Sequence, residues 1–185
     1  NTKLKCMNYF INFSNTFIMI GKGWGILVGA FDILKSYLAA LLVSVLFPGN
    51  ELLPIIAGAA AVLGHIFPFW MKFKGGKGFA TLMGSILGYN FIVFAIAGAL
   101  VIIITFVTDY IVIATVTMSI GFPVFVGIYT GNPFFSAILA IASITILIKH
   151  SENYVRIVKK EEIGIRSARE VHVAIPVRPR DDAVG

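Results

Sequence analysis

The 185-residue sequence predicts an all-α fold, a polytopic integral membrane bundle of about six helices, one of them short. The first observation behind this is composition: 58% of residues are hydrophobic, 13% are charged, and the mean hydropathy is +0.90. A soluble core of this size does not need so much apolar surface. The second is that apolar runs long enough to span a bilayer alternate with turn residues. The third is the placement of charge. All 15 Lys and Arg fall in 1–35, 72–77 or 149–180. Such islands fit the excess of basic residues in cytoplasmic segments, and they assign the three regions to one side of the membrane, the cytoplasmic one.

Each element follows from the pattern. Gly25 to Phe47 is a long apolar helix interrupted by Asp32 and Lys35 and ended by Pro48-Gly49-Asn50-Glu51. Leu52 to Trp70 returns to the lysine island, with Trp70 at interfacial depth. From Phe79 to Thr108 no residue is charged, too long a run for one upright span. Gly88-Tyr89-Asn90 breaks it into a short helix at 79–88 and a span at 91–107. Asp109 marks a turn, Tyr110 to Tyr129 spans again, Thr130-Gly131-Asn132-Pro133 turns, and Phe134 to Ile148 leads back to basic residues. Residues 1–158 form the membrane domain. The stretch 159–185, with alternating charges and two prolines, is expected to be a weakly ordered cytoplasmic tail.

Several function classes fall away. No basic surface on a soluble scaffold is present for nucleic acid. One cysteine, Cys6, forms no internal disulfide, and no residue set suggests a metal. Lys3 and Lys5 precede an apolar stretch, but no small-residue cleavage site follows, so this segment reads as mature chain or a truncated start.

Phe73-Lys74-Gly75-Gly76-Lys77-Gly78, after Gly64-His65-Ile66-Phe67-Pro68, carries the chemistry. Glycines allow backbone N–H groups to turn toward an anion, lysines supply charge, and the helix resuming at Phe79 offers its N-terminus. A plain membrane anchor would need Lys74 and Lys77 but not Gly75, Gly76 and Gly78. His65, at the same membrane face, is a functional candidate or a helix-end contact. Asp32 and Lys35, three apart on one helix face, can neutralise each other. They read either as a buried functional pair or as a structural bridge. His150, Asn153 and Arg156 recur every three residues where the last span ends. Imidazole, amide and guanidinium suit a site that binds phosphate and handles a hydroxyl proton. Taken alone, that face is more cheaply a juxtamembrane helix attracted to anionic lipid.

Gly64-His65-x-Phe67-Pro68, Phe73 to Thr81, and Lys149-His150-x-x-Asn153-x-x-Arg156 together resemble the bacterial acyl-phosphate:glycerol-3-phosphate acyltransferase family, over about Asn15 to Ser167. Asp32-Ile33-Leu34-Lys35 looks like that family's second-helix motif. The resemblance implies transfer of a fatty acyl group from acyl phosphate to the first hydroxyl of glycerol 3-phosphate, giving lysophosphatidic acid. Substrates, membrane lipid and no cofactor are the implied partners. It places Gly64, His65, Lys74, Gly75, Gly76, Lys77 and Gly78 in the acyl-phosphate pocket. His150, Asn153 and Glu162 then form the catalytic face, with Arg156, Asn15, Asp32 and Lys35 binding substrate. The match departs in the family's first loop motif, where a serine and an arginine are replaced by Asn8 and Ile18, and the family's first helix is missing. Asp109 and Val112 stand where the family has a basic and a serine residue, with Thr115 a hydroxyl substitute, and Ser151 stands where it has an arginine. These departures support a second expectation, an impaired paralogue that binds acyl phosphate or anionic lipid without turnover.

Overall fold

A computed structural model describes residues 22–162 and Gly164, and the expectations for Asn8, Asn15 and Ile18 lie outside the described residues. The described chain is helical throughout: α1 (Lys22–Leu46), α2 (Leu52–Ile66), α3 (Phe79–Tyr89), α4 (Phe91–Thr108), α5 (Ile111–Thr130), α6 (Pro133–Lys149) and α7 (Ser151–Val158). A short 3-10 turn, Phe69–Met71, extends α2. α1, α2 with its extension, α4 and α5 are each long and apolar enough to cross a membrane, and α6 joined to α7 across a 47° bend adds a fifth candidate. The six expected elements are present. The seventh helix arises because the chain bends at His150 and stays helical, so the polar face starting there is a structured one.

The short helix is the hub. At 11 residues α3 is about 16 Å long, half of a ~30 Å hydrocarbon core, yet it packs against α1, α2, α4 and α5. Residues Thr81 through Ile86 are all buried, which on a helix means it is enclosed on every side. Small residues permit this enclosure. A methyl on Gly84 would overlap the Ile33 carbonyl of α1, and one on Gly88 would come within 2.6 Å of Ala40 Cβ. Ser85 occupies the space that Gly58 of α2 leaves open, and Ser36 Oγ donates to the Gly58 carbonyl at 3.4 Å. With no water to expel inside a bilayer, such close backbone approach supplies the packing that holds helices together. α4 is the contrast: only Ala97 and Thr105 are buried, and Ile92, Ile96, Ile103 and Phe106 face outward as lipid contacts.

Candidate active site

The loop between α2 and α3 folds back on the end of α2. Phe73 N donates to Pro68 O at 3.0 Å, Gly75 N to Ile66 O at 3.1 Å and Gly76 N to His65 O at 3.2 Å. This corrects the expected role of two glycines. The N–H groups of Gly75 and Gly76 are engaged with the loop's own carbonyls and are not turned toward an anion. What the loop requires is absence of side chain. A methyl on Gly75 would overlap the His65 carbonyl and stand 2.5 Å from Pro68 Cδ; one on Gly76 would overlap the His65 imidazole, with Cε1 at 2.6 Å. Gly78 has φ of +86° and caps α3 without a side-chain hydrogen bond, so among the described residues no side chain caps the start of α3. A helix N-terminus carries partial positive charge, and Lys77 stands beside the start of α3.

Two side-chain clusters flank this loop. In the first, Lys35 Nζ donates to Asp32 Oδ1 at 2.6 Å and to His65 Nδ1 at 2.5 Å, and Asp32 Oδ1 lies 3.4 Å from His65 Nδ1. The intrahelical pair expected from spacing is present, and α2 contributes a third member. With the ammonium donating to Nδ1, the ring proton belongs on Nε2, the edge that Gly76 faces. A hollow of about 410 Å³ opens here, lined by Asp32, Lys35, Gly64, His65, Gly75 and Gly76.

In the second cluster Lys77 Nζ donates to Asn153 Oδ1 at 2.5 Å, and Asn153 Nδ2 donates to Glu162 Oε1 at 2.6 Å. The asparagine amide thus has both ends fixed, a cation on one and a carboxylate on the other. Burial pushes the Lys77 ammonium below its ordinary pKa, partly opposed by Glu162. His150 is 5% exposed, and its Nδ1 lies 2.8 Å from the Ile146 carbonyl. A carbonyl only accepts, so Nδ1 carries the proton and Nε2 keeps its lone pair. Burial, chiefly, lowers the His150 pKa to about 4, so the ring is neutral at physiological pH. Arg156 lies 3.9 Å from Glu152, one turn away on α7.

The expected residues thus divide between two poles joined by one peptide step, since Gly76 rests on His65 while Lys77 reaches Asn153. Lys74 is exposed and its side chain has no hydrogen bond among the described residues; Gly64 is exposed with open space around its Cα. Two features escaped sequence reasoning. Residues 161, 162 and 164 lie back over this end: Glu161 and Glu162 N–H both donate to the Arg156 carbonyl, and buried Gly164 sits so close to Asp109 that a methyl would overlap the carboxylate. This return brings Glu162 to Asn153. Lys149 Nζ also stacks over the Phe67 ring at 5.0 Å, tying the end of α6 to the loop.

A profile for glycerol-3-phosphate acyltransferase matches residues 9–160. The chain belongs to the glycerol-3-phosphate acyltransferase family. It is 36% identical over 149 residues to glycerol-3-phosphate acyltransferase 3 of Bacillus anthracis, covering 80% of this chain and 74% of that one. It is 34% identical over 150 residues to the glycerol-3-phosphate acyltransferase of Lactiplantibacillus plantarum, at 80% and 71% coverage. The crystal structure of PlsY (YgiH), an integral membrane glycerol 3-phosphate acyltransferase, in its glycerol 3-phosphate form superposes with a TM-score of 0.80 at 26% identity, over 91% of this chain and 88% of that chain. Its lysophosphatidic acid form gives 0.77 at 26% identity, over 88% and 83%. The chain is therefore a multi-pass membrane protein of the acyltransferase family, and the loop and α7 clusters sit inside the matched region.

Proposed function

We propose that this protein transfers a fatty acyl group from acyl phosphate to the first hydroxyl of glycerol 3-phosphate, at the cytoplasmic face of a bacterial cell membrane. The single observation that carries this reading is the Lys77–Asn153–Glu162 chain beside the open N-terminus of α3, with the neutral His150 one turn before Asn153. Acyl phosphate is a mixed anhydride with a good leaving group, so positioning and charge stabilisation suffice without a covalent enzyme intermediate. The glycerol hydroxyl oxygen attacks the acyl carbon, the carbon–oxygen bond to phosphate breaks, and the hydroxyl proton leaves through His150 Nε2 for the departing phosphate. Lys77 and the α3 N-terminus offset the charge that develops on the carbonyl oxygen and the leaving phosphate. Lys35, held by Asp32 and His65, and Arg156 offer cations to the second phosphate, that of the acceptor. Cytoplasmic orientation follows from charge: among the described residues the end bearing 47–51, 88–90 and 130–133 has no Lys or Arg.

The test is formation of lysophosphatidic acid by purified protein in lipid with acyl phosphate, acyl-coenzyme A or acyl-carrier protein as donor. Acyl phosphate should be the donor used, and equal rates with the thioesters would overturn the reading. The substitutions at Asn8 and Ile18 favour a second reading, a protein that binds acyl phosphate and turns it over slowly. Asn8→Ser with Ile18→Arg then raises the rate; fast turnover by the unaltered chain removes that reading.

A further inference from the structure

Past the end of α7 the chain reverses. Lys160 takes φ of +57°, and Glu161 and Glu162 N–H donate to the Arg156 carbonyl at 2.8 and 3.2 Å. That reversal leaves Glu162 Oε1 at 2.6 Å from Asn153 Nδ2. Two residues on, Gly164 is buried against a different part of the bundle, the turn between α4 and α5. A methyl on it would overlap Asp109 Oδ2, stand 2.6 Å from Cγ and lie 3.2 Å from Oδ1. The carboxylate thus fills the place where a side chain at 164 would go. Two peptide steps span at most about 7 Å, so seating Gly164 on Asp109 limits where Glu162 can lie. Glu162 stands beyond α7, which ends at Val158, so its carboxylate is held by tethers on either side of it and not by a helix.

Local structure gives no reason for an aspartate at 109. The residue ends α4 with φ of +68°, a left-handed conformation that glycine or asparagine adopts more readily. A negative charge at a helix C-terminus is also disfavoured by the helix dipole. What the aspartate supplies is a short, stiff carboxylate under Gly164. We propose that Asp109 is a positioning residue for acyl transfer, acting through Gly164 to hold Glu162 against Asn153. The inference rests on the Lys77–Asn153–Glu162 chain taking part in the transfer, and it adds the α4–α5 turn to what supports that chain.

The test measures phosphate release and lysophosphatidic acid formation by the full chain in lipid nanodiscs, beside thermal melting. Asp109→Gly suits the left-handed backbone, so melting should hold or rise. Its kcat should nevertheless fall, about 10²-fold for a displacement of ~1 Å, with KM unchanged. Gly164→Ala should lose activity likewise. In the double variant the methyl occupies the space that the carboxylate vacates, and most of the loss should be recovered. In a Cys6→Ser background, Asp109→Cys with Gly164→Cys should close a disulfide, the two Cβ positions lying within about 4 Å, and acyl transfer should persist with it closed. Losses that add in the double variant, losses that follow melting, failure of the disulfide to form, or activity abolished by its closure would overturn the inference. Glu162→Gln separates the inference from the reading beneath it. Loss in Glu162→Gln with full activity in Asp109→Gly overturns the positioning alone, whereas full activity in Glu162→Gln overturns the role of the Lys77–Asn153–Glu162 chain and the positioning with it.

Discussion

The two ends of this bundle solve the same problem differently. At both, helix termini leave backbone groups that need partners and the chain must turn. The end without Lys or Arg turns through Asn50, Asn90 and Asn132, whose side chains cap the next helix locally, two or three residues away. The basic end spends its side chains on long-range contacts: Lys35 to His65 is 30 residues apart and Lys77 to Asn153 is 76. A cavity of about 790 Å³ lies between the helix ends there. Long-range ion and amide contacts draw the loop, α1, α2 and α7 into one surface. The difference is one of preorganisation: side chains fixed from two directions are held in place, and caps that serve one helix are not.

The sharpest way to break this contrast is Lys77→Ala, which removes the cation that fixes Asn153. Acyl transfer is expected to fall about 10²–10³-fold in kcat/KM, the range for losing one charge-stabilising group. Asn153→Ala combined with it should add far less than its own effect, since the two act as a unit. Fully additive losses, measured as phosphate release, would separate them.

Gly76→Ala comes next and changes no charge. The methyl displaces the His65 ring or the loop, and a shift of about 1 Å at a reacting site costs roughly 10²-fold in rate. Unaltered turnover would reduce the glycine to a spacer.

A milder probe is pH. With a His150 pKa of about 4, the Nε2 acceptor is present throughout pH 5 to 8, so kcat/KM should show no His150-dependent inflection near the ordinary imidazole value and should fall only toward pH 4. The depressed pKa has a stability consequence of definite sign. Between about pH 6.5 and 4 the unfolded chain binds the His150 proton and the folded one does not, so stability declines as pH falls through that window. His150→Gln should flatten that part of a pH–melting curve. An inflection near pH 6.5 that disappears in His150→Gln would contradict the buried neutral ring.

The smallest effect belongs to the other end. Gly131 has φ of +62° with nothing near its Cα, so Gly131→Ala costs about 1 kcal/mol of backbone strain and should leave acyl transfer unchanged. Thermal melting and the transfer assay together check it.

Much of the fold was legible because the bilayer imposes it. Span lengths, the Gly88-Tyr89-Asn90 break and the three basic islands are one-dimensional signals, and the helices lie where those signals put them. The Asp32–Lys35 pair was equally open, being a matter of helical spacing. What was hidden is what the third dimension creates. Nothing in the run 79–88 says that its helix is enclosed by four others through Gly58, Gly84 and Gly88. The glycines of the lysine loop read as phosphate ligands, and the fold uses Gly75 and Gly76 to lay the loop on His65. The approach of Gly164 to Asp109 was invisible too, because a charged, proline-containing stretch looks the same in sequence whether or not its first residues dock.

The central claim, that the Lys77–Asn153–Glu162 chain carries acyl transfer, is tested most directly by following inorganic phosphate and lysophosphatidic acid together. The purified protein in lipid receives acyl phosphate and glycerol 3-phosphate, beside Lys77→Ala in the same background. The account predicts one phosphate for each lysophosphatidic acid formed and loss of both products in Lys77→Ala. Lysophosphatidic acid formed at the same rate by Lys77→Ala, or phosphate released without it, would contradict the account.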